Sequence, residues 1–292
     1  TEKDSVMNEK LTREEQREAA RAKAKAMREQ HRRGEKRKRL LIQLSVVIGS
    51  LALVGGVAAA VVIGANAPQS DAKTPANFSF NDGLKLGANG EPFTANTTPT
   101  ASATPGAADP INIKVYLDYQ CPICQGFELA NSEQFKSWLN SGYATLEVHP
   151  ISFLDGQGSP NEYSSRAANA AICVAENSPA DFYDFNHALF QNQPQEGTPG
   201  PSNDELFETA KSVGVQNQET IKSCIDGKSY GDWIKATTSK VLSQDYVVEG
   251  TELRVTGTPA IFVNGEQYTW ETFADLTNPA RFAQWVQKAA GN

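Results

Sequence analysis

A run of 24 residues without a charged side chain, residues 40–63, divides the chain into two unequal parts. Its sequence is LLIQLSVVIGSLALVGGVAAAVVI, in which one glutamine and two serines are the clearly polar members. As an α-helix this run would be about 36 Å long, enough to cross roughly 30 Å of membrane hydrocarbon. A buried core helix seldom runs this far without a charge, so the sequence predicts a single transmembrane helix.

The flanking charges indicate how this helix is oriented. Residues 36–39 (KRKR) precede it, whereas the next charge on the other side is Asp71. The positive-inside rule therefore predicts a cytoplasmic N-terminus and an extracytoplasmic position for residues 65–292. A cleaved signal peptide is the alternative, because residues 65–67 (ANA) resemble a cleavage site. We prefer an uncleaved anchor, since the run exceeds the usual length of about 7–15 residues and Pro68 follows directly.

Charge is divided unevenly along the chain. Residues 1–39 hold 14 of the 27 Lys and Arg and 8 of the 34 Asp and Glu, so this tail carries +6 and the remainder −13. The acidic remainder would repel phosphate, which excludes bulk nucleic-acid binding. The tail is rich in Ala, Glu, Lys and Arg and lacks an apolar stripe. It is predicted to be a solvated, charged cytoplasmic helix, with contact to a partner or to anionic lipid as the alternative.

Residues 64–109 read as an extracytoplasmic linker, because Pro, Thr, Ala, Asn and Gly dominate them. Within the linker, apolar and polar residues alternate more regularly over residues 78–93 than elsewhere. This segment contains Asn89-Gly90, a typical hairpin turn, so a small hairpin is expected there. From residue 110 to 292 the pattern of apolar and polar residues is typical of one globular domain.

The pattern of that domain predicts strand–helix–strand, then a helical block at about 156–250, then strand–strand–helix. Strands are expected at 111–117, 144–151, 260–263 and 266–270. Helices are expected at 122–140, 160–176, 180–192, 203–213, 217–226, 229–249 and 277–290. The strand–helix–strand unit implies a parallel pair in an α/β fold.

Cys121-Pro122-Ile123-Cys124 follows the first of these strands and opens a helix. Unpaired amides and the helix dipole at this position stabilise a thiolate, which lowers the pKa of the first cysteine. Pro122 fits the first helical turn, where its missing N–H costs nothing. A zinc site would need a second ligand pair at compatible spacing, and a purely structural disulfide in so tight a ring would stabilise little. The spacing therefore favours a redox pair over either alternative.

A second motif, Val255-Thr256-Gly257-Thr258-Pro259, precedes a strand. It is typical of a cis proline, with an ordinary trans proline at a strand edge as the alternative. Together with the cysteine pair and the helical block, it resembles the DsbA-like branch of the thioredoxin superfamily over about residues 110–292. The expected fold is thus thioredoxin-like α/β with an inserted helical domain, preceded by the transmembrane helix and the charged cytoplasmic helix.

The resemblance implies a role for each site residue. Cys121 would be the surface nucleophile, Cys124 the resolving thiol, and Thr258 and Pro259 the backbone offered to a client chain. Two departures from the family pattern leave the oxidising strength open: Val115 stands where many relatives have a buried acid, and Ile123 replaces a histidine. Asp118 could serve as proton acceptor instead, or could simply cap the strand end.

Cys173 and Cys224 fall on different expected helices of the block, and all four cysteines lie on the predicted outer side. Because that compartment is oxidising, the two are expected to form a structural disulfide. A second redox pair and two free thiols are the alternatives. No metal ion or cofactor is expected.

These features favour a membrane-tethered thiol–disulfide oxidoreductase that introduces disulfides into exported proteins of a bacterium. Its expected partners are reduced or unfolded exported chains and a quinone-linked membrane reoxidase, resembling either DsbB or vitamin K epoxide reductase. One alternative is an extracytoplasmic reductase or isomerase. Another is a non-catalytic tethered binding or sensor module.

Overall fold

One mixed sheet organises the molecule. The computed structural model describes residues 72–93 and 110–291. Within them the sheet has five strands: β1 (Leu84–Leu86), β2 (Ile111–Leu117), β3 (Ala144–Pro150), β4 (Ala260–Val263) and β5 (Glu266–Gln267). Their order is β1-β3-β2-β4-β5, in which β2 and β3 run parallel and the other neighbours antiparallel. The central strands β2, β3 and β4 are almost wholly buried, as expected of strands covered on both faces.

Helices cover the sheet and form the inserted block. The described residues contain eight α-helices: α1 (Pro122–Ser141), α2 (Tyr163–Asn177), α3 (Phe182–Gln191), α4 (Asn203–Ser212), α5 (Gln218–Asp226), α6 (Gly231–Val241), α7 (Phe273–Leu276) and α8 (Pro279–Ala289). Helix α1 connects β2 to β3, α2 to α6 lie between β3 and β4, and α7 and α8 follow β5. The thioredoxin-like order with a helical insertion is thereby confirmed.

Helix α2 forms the centre of the inserted block. Its residues from Tyr163 to Ala175 are all buried, and seven of these are alanines or serines whose small side chains allow close approach. Contacts from α3, α4, α5 and α6 converge on it. The block is therefore packed around α2, and its interior is continuous with the hydrophobic core against the sheet.

Two predicted helices were drawn too long. The helix expected over 229–249 ends at Val241, because Val247, Val248 and Gly250 disfavour a helix and the following segment packs against the sheet. The helix expected over 277–290 corresponds to α8, which begins two residues later at Pro279, and the short helix α7 before it was not predicted. Pro279 cannot continue a helix and holds Asn278 in an extended conformation, from which the Asn278 side chain caps α8.

The hairpin expected in residues 78–93 is present in part. Asn89 and Gly90 both have positive φ, as such a turn requires, and the Phe93 N–H donates to the Lys85 carbonyl across it. However, this segment is not a separate hairpin, because its strand β1 pairs with β3 and extends the main sheet. Part of the expected linker thus belongs to the folded domain.

Residues 72–93 form a strap that connects the helical block with the sheet. The Ala76 and Asn77 amides both donate to the carboxylate of Glu176, at 2.9 and 2.7 Å. Phe78 is buried and packs edge-on against Phe182 and Trp233, with ring centroids 6.5 and 5.7 Å away. Because β1 follows directly, the strap holds both halves of the fold.

The predicted tail (residues 1–39) and transmembrane helix (residues 40–63) lie outside the described residues, as do residues 64–71 and 94–109 of the expected linker. In the part of the chain that the structure describes, no helix is both long and apolar enough to span a membrane.

Candidate active site

Cys121 lies at the point where β2 turns into α1. The turn closes with a 3.0 Å hydrogen bond from the Cys121 N–H to the Asp118 carbonyl. Cys121 is the N-cap of α1, Pro122 occupies its first turn, and the Cys124 N–H donates to the Cys121 sulfur at 3.4 Å. The sequence therefore folds locally so that the open amides of a helix start point at one sulfur atom.

The two thiols differ in their electrostatics. Hydrogen bonds from the Cys124 thiol, which contributes most, and from the backbone amides of Cys124 and Ile123 outweigh burial and lower the pKa of Cys121 from 9.0 to about 7. Burial raises the pKa of Cys124 well above its usual value. At neutral pH one sulfur is thus a ready nucleophile while the other keeps its proton.

The loop before β4 faces this sulfur. The peptide bond between Thr258 and Pro259 is cis, and the Cys121 thiol donates to the Thr258 carbonyl at 3.3 Å. Pro259 is buried and Thr258 half-buried, whereas Thr256 is exposed. The two motifs that lie far apart in the sequence therefore form one site.

Ile123 and Pro122 form part of the outer rim of the site. Both are exposed, Ile123 with 38% of its surface. Two exposed apolar side chains therefore lie next to Cys121 in this turn.

Asp118 is fully buried at the end of β2 and organises the loops behind the cysteines. Its carboxylate accepts from the Gln120 N–H at 2.8 Å, the Ser164 hydroxyl at 2.6 Å and the Leu154 N–H at 2.9 Å. Burial raises the pKa of Asp118 to about 6 in spite of these donors, and its charge contributes to the raised pKa of Cys124. The carboxylate is therefore coupled to the inner thiol.

Cys173 and Cys224 are joined by a disulfide that connects α2 with α5 inside the helical block. Both residues are buried, and neither belongs to the Cys121–Cys124 turn. Within the described residues, His, Cys, Asp and Glu side chains do not gather into a group of three that could hold a metal ion.

Several residues near the site escaped prediction because no spacing marks them. Gln120 and Gln193 form hydrogen bonds that connect the turn before α1 with the loop after α3. Glu128 lies one turn beyond Cys124 on α1 and is buried, with Asn186 donating to it at 2.9 Å. Burial raises the pKa of Glu128 to about 7. The signal that could have found Glu128 is a charged residue on the otherwise buried face of a predicted helix.

A thioredoxin-like fold with a helical insertion, a pair of thiols at a helix start and a cis proline opposite them is the architecture of a DsbA-like thiol–disulfide oxidoreductase. A family model described as thioredoxin matches residues 106–286, well over half of the chain. The chain therefore belongs to the thioredoxin family, in its DsbA-like branch of protein-disulfide oxidoreductases.

Solved structures of similar fold agree with this assignment. The disulfide bond oxidoreductase DsbG from Mycobacterium tuberculosis in its reduced form has a TM-score of 0.55 and 27% identity, covering 73% of this chain and 90% of that one. Reduced DsbA from the same organism has a TM-score of 0.54 and 26% identity, covering 72% and 93%. BdbD from Bacillus subtilis shares the fold, with a TM-score of 0.53 and 20% identity over 76% and 100%.

Sequence relatives include two kinds of protein. The serine/threonine-protein kinase PknE of Mycobacterium tuberculosis is 31% identical over 170 residues, 55% of this chain and 29% of the kinase. Disulfide bond formation protein D of Bacillus subtilis is 27% identical over 170 residues, 57% of this chain and 68% of that protein. The chain thus spans less than a third of the length of its kinase relative.

Proposed function

We propose that this chain is a membrane-tethered thiol oxidase that introduces disulfides into exported proteins through the Cys121–Cys124 pair. In this proposal residues 1–39 are cytoplasmic, residues 40–63 anchor the chain, residues 64–109 contribute the linker and part of the sheet, and residues 110–292 carry the catalysis outside. The observation that carries it is the Cys121 sulfur, placed at a helix start and opposite Pro259, with its pKa lowered to about 7.

The exchange takes place in two steps. A client thiolate attacks the sulfur of Cys121 in the oxidised Cys121–Cys124 disulfide, a mixed disulfide forms, and Cys124 leaves as a thiolate that takes up a proton. A second client thiolate then attacks the client sulfur of the mixed disulfide and releases Cys121 as a thiolate. The client loses two electrons and two protons and gains a disulfide, while the pair becomes a dithiol. The low pKa of Cys121 makes it a good leaving group in the second step.

Asp118 is proposed as the proton acceptor for Cys124. Reoxidation of the pair requires the buried Cys124 thiol to lose its proton, and its raised pKa makes this step difficult. A neighbouring carboxylate with a pKa of about 6 can accept that proton near neutral pH. Thr258 and Pro259 are proposed to hold the client backbone beside Cys121, where the Thr258 carbonyl already contacts the sulfur.

The buried Cys173–Cys224 disulfide supports an extracytoplasmic site, because structural disulfides persist in oxidising compartments. Its role is proposed to be structural, since neither cysteine opens a helix in a Cys-X-X-Cys turn. The reduced Cys121–Cys124 pair must then return two electrons and two protons to an acceptor. A quinone-linked membrane reoxidase, of the DsbB or vitamin K epoxide reductase kind, is the proposed acceptor.

Oxidative refolding of a reduced client protein tests the activity. The oxidised full-length chain in detergent micelles is expected to regenerate the client's native disulfides, and Cys121→Ser is expected to abolish this. Cys124→Ser cannot form the internal disulfide and is expected to lose this regeneration as well. With a client that already holds a disulfide, its Cys121 thiolate is expected to attack that bond, release one client thiolate and stay joined to the other sulfur, because no inner thiol remains to release it. Equal regeneration by the wild type and Cys121→Ser would remove the catalytic role.

The direction of the reaction is tested by the reduction potential of the pair. A pKa of about 7 equals that of the attacking cysteine of thioredoxin and is higher than that of the most oxidising members of this fold, near 3.5, so the pKa alone does not set the direction. The proposed oxidase requires a potential between those of DsbA, about −120 mV, and thioredoxin, about −270 mV, and more positive than about −220 mV. A potential at or below that of thioredoxin would make the chain a reductase.

The topology is tested with sealed, right-side-out vesicles that hold the full chain. Added protease is expected to degrade the Cys121 domain and to spare residues 1–39. A domain that stays protected until the vesicles are opened would contradict the proposed orientation.

A further inference from the structure

A loop of the helical block contacts the turn that carries the nucleophile. Gln193 follows α3, and its side-chain amide donates to the Tyr119 carbonyl and to the Cys121 carbonyl, both at 3.0 Å. An amide NH2 group has two hydrogens, so these two bonds use its whole donor capacity. One side chain thus connects the carbonyls on either side of residue 120.

Those two carbonyls define the geometry of the cap. The Cys121 carbonyl also accepts from the Gln125 N–H at 3.1 Å, which is the first bond of α1. Fixing the carbonyls of residues 119 and 121 fixes the backbone torsions between them, and with these the direction in which the Cys121 side chain leaves the backbone. The bond from the Cys124 N–H to the sulfur is long, at 3.4 Å, so a small rotation of this turn would remove it.

Gln120 also connects the turn before α1 with the loop after α3, but its side chain extends from the turn to the loop. It is fully buried, its amide donates to the Thr198 carbonyl at 2.9 Å, and its oxygen accepts from the Ser159 hydroxyl at 2.5 Å. Two side chains therefore hold the loop after α3 against the turn: Gln193 from the loop and Gln120 from the turn.

We propose that Gln193 is a positioning residue for the thiol–disulfide exchange: it holds the turn before α1 so that the amides of the helix start point at the Cys121 sulfur. The inference rests on the proposed function and extends it, because it makes the helical insertion part of the device that stabilises the thiolate. Gln193 carries no charge and donates to carbonyls rather than to the sulfur, so its effect is geometric.

Substituting Gln193 tests the proposal. Gln193→Met keeps the length of the side chain and removes both donors without adding a charge, whereas Gln193→Glu keeps the size but replaces the amide with a negatively charged carboxylate that can only accept. The matched control is Gln125→Met. Gln125 is also half-buried and also donates one side-chain bond across this boundary, to the Phe190 carbonyl at 2.8 Å, but not to the carbonyls at 119 and 121.

The readouts are the pKa of Cys121, followed by the ultraviolet absorbance of its thiolate, and the equilibrium constant with glutathione, both measured on the full-length chain. We expect Gln193→Met to raise the pKa by about 0.5–1 unit, the worth of one ordinary hydrogen bond. Because the reduced form loses thiolate stabilisation, the pair is expected to become about three- to tenfold less oxidising. Gln193→Glu should raise the pKa at least as far, and Gln125→Met should leave both readouts unchanged.

Either of two results overturns the proposal. One is an unchanged pKa and potential in Gln193→Met or in Gln193→Glu, and the other is an equal shift in Gln125→Met. Thermal unfolding of all variants distinguishes a general loss of stability from a local change at the turn before α1. A general loss of stability would not by itself change the pKa of Cys121. Failure of the proposed function is distinguishable, since it would appear as a wild-type chain that regenerates no disulfides.

Discussion

The Cys121 thiol donates a hydrogen bond to the Thr258 carbonyl at 3.3 Å, although 137 positions separate the two residues in the chain. This contact joins the start of α1 to the loop before β4, and it brings the two sequence motifs to a single surface. The proposed chemistry depends on it, because a client held along the Thr258–Pro259 backbone would present its sulfur to Cys121.

The reactivity of Cys121 is expected to follow its lowered pKa. In the reduced chain, the rate of alkylation by iodoacetamide should rise with pH with a midpoint at about 7, because the thiolate is the reacting form. The largest cause of the lowered pKa is the hydrogen bond from Cys124. Cys124→Ala should therefore move the midpoint toward 9, and a wild-type midpoint near 9 would refute the assignment.

Glu128 is expected to reduce stability at neutral and alkaline pH. Its pKa is raised from 4.5 to about 7 in the folded state, so between these values the unfolded chain releases a proton that the folded chain retains. The contribution of Glu128 to the free energy of unfolding is thus fully present below about pH 4.5 and is lost as the pH rises through about 7. Glu128→Gln should stabilise the fold by about 3 kcal/mol near pH 8 and hardly at all near pH 4.

Urea unfolding at the two pH values measures this difference. The amide oxygen of the new glutamine can still accept from Asn186, so packing is kept. Glu133→Gln, an exposed position on the same helix, is the control and should change stability by less than about 0.5 kcal/mol. A gain from Glu128→Gln that is equal at both pH values would show that ionisation is not its cause.

Removing the Cys173–Cys224 disulfide is expected to weaken the fold without changing the site. The bond closes a loop with a sequence separation of 51, which the loop-entropy relation values at about 4 kcal/mol. The double variant Cys173→Ala/Cys224→Ala should lose about that much in chemical denaturation and keep the alkylation midpoint of Cys121. A lost ability to regenerate client disulfides in a chain that remains folded would instead identify a second redox pair.

Phe78 is expected to be the main anchor of the strap. It is buried against Phe182 and Trp233, so Phe78→Ala should cost about 3–5 kcal/mol of unfolding free energy. Phe80→Ala, a half-buried position in the same segment, should cost clearly less. An equal loss of unfolding free energy in Phe78→Ala and Phe80→Ala would mean that the strap does not depend on the contacts of Phe78 with Phe182 and Trp233.

Local pattern predicted most of the elements and the two motifs that the structure brings into contact. The apolar runs of β2, β3 and β4, and the cysteine pair at the start of α1, are recognisable because each depends on neighbouring residues only. The pairing of β1 with β3 was missed, since alternation predicts a strand but does not name its partner. Helix α6 ends early because residues beyond Val241 pack against the sheet, a tertiary preference that overrides local propensity.

The contacts of Gln193 and Gln120 could not be predicted for a related reason. Glutamine is common on surfaces, and nothing in its spacing shows that a side chain after α3 will meet the carbonyls beside Cys121. Such contacts arise only when the helical block is placed against the turn, which a single sequence does not specify.

Trapping a client on the enzyme tests the central claim most directly. The full-length Cys124→Ser chain is incubated with a disulfide-containing client, and the attached residue is identified by peptide mass mapping. We predict one mixed disulfide per chain, at Cys121, and none in Cys121→Ser/Cys124→Ser. Absence of the mixed disulfide, or its formation at Cys173 or Cys224 instead, would contradict the account.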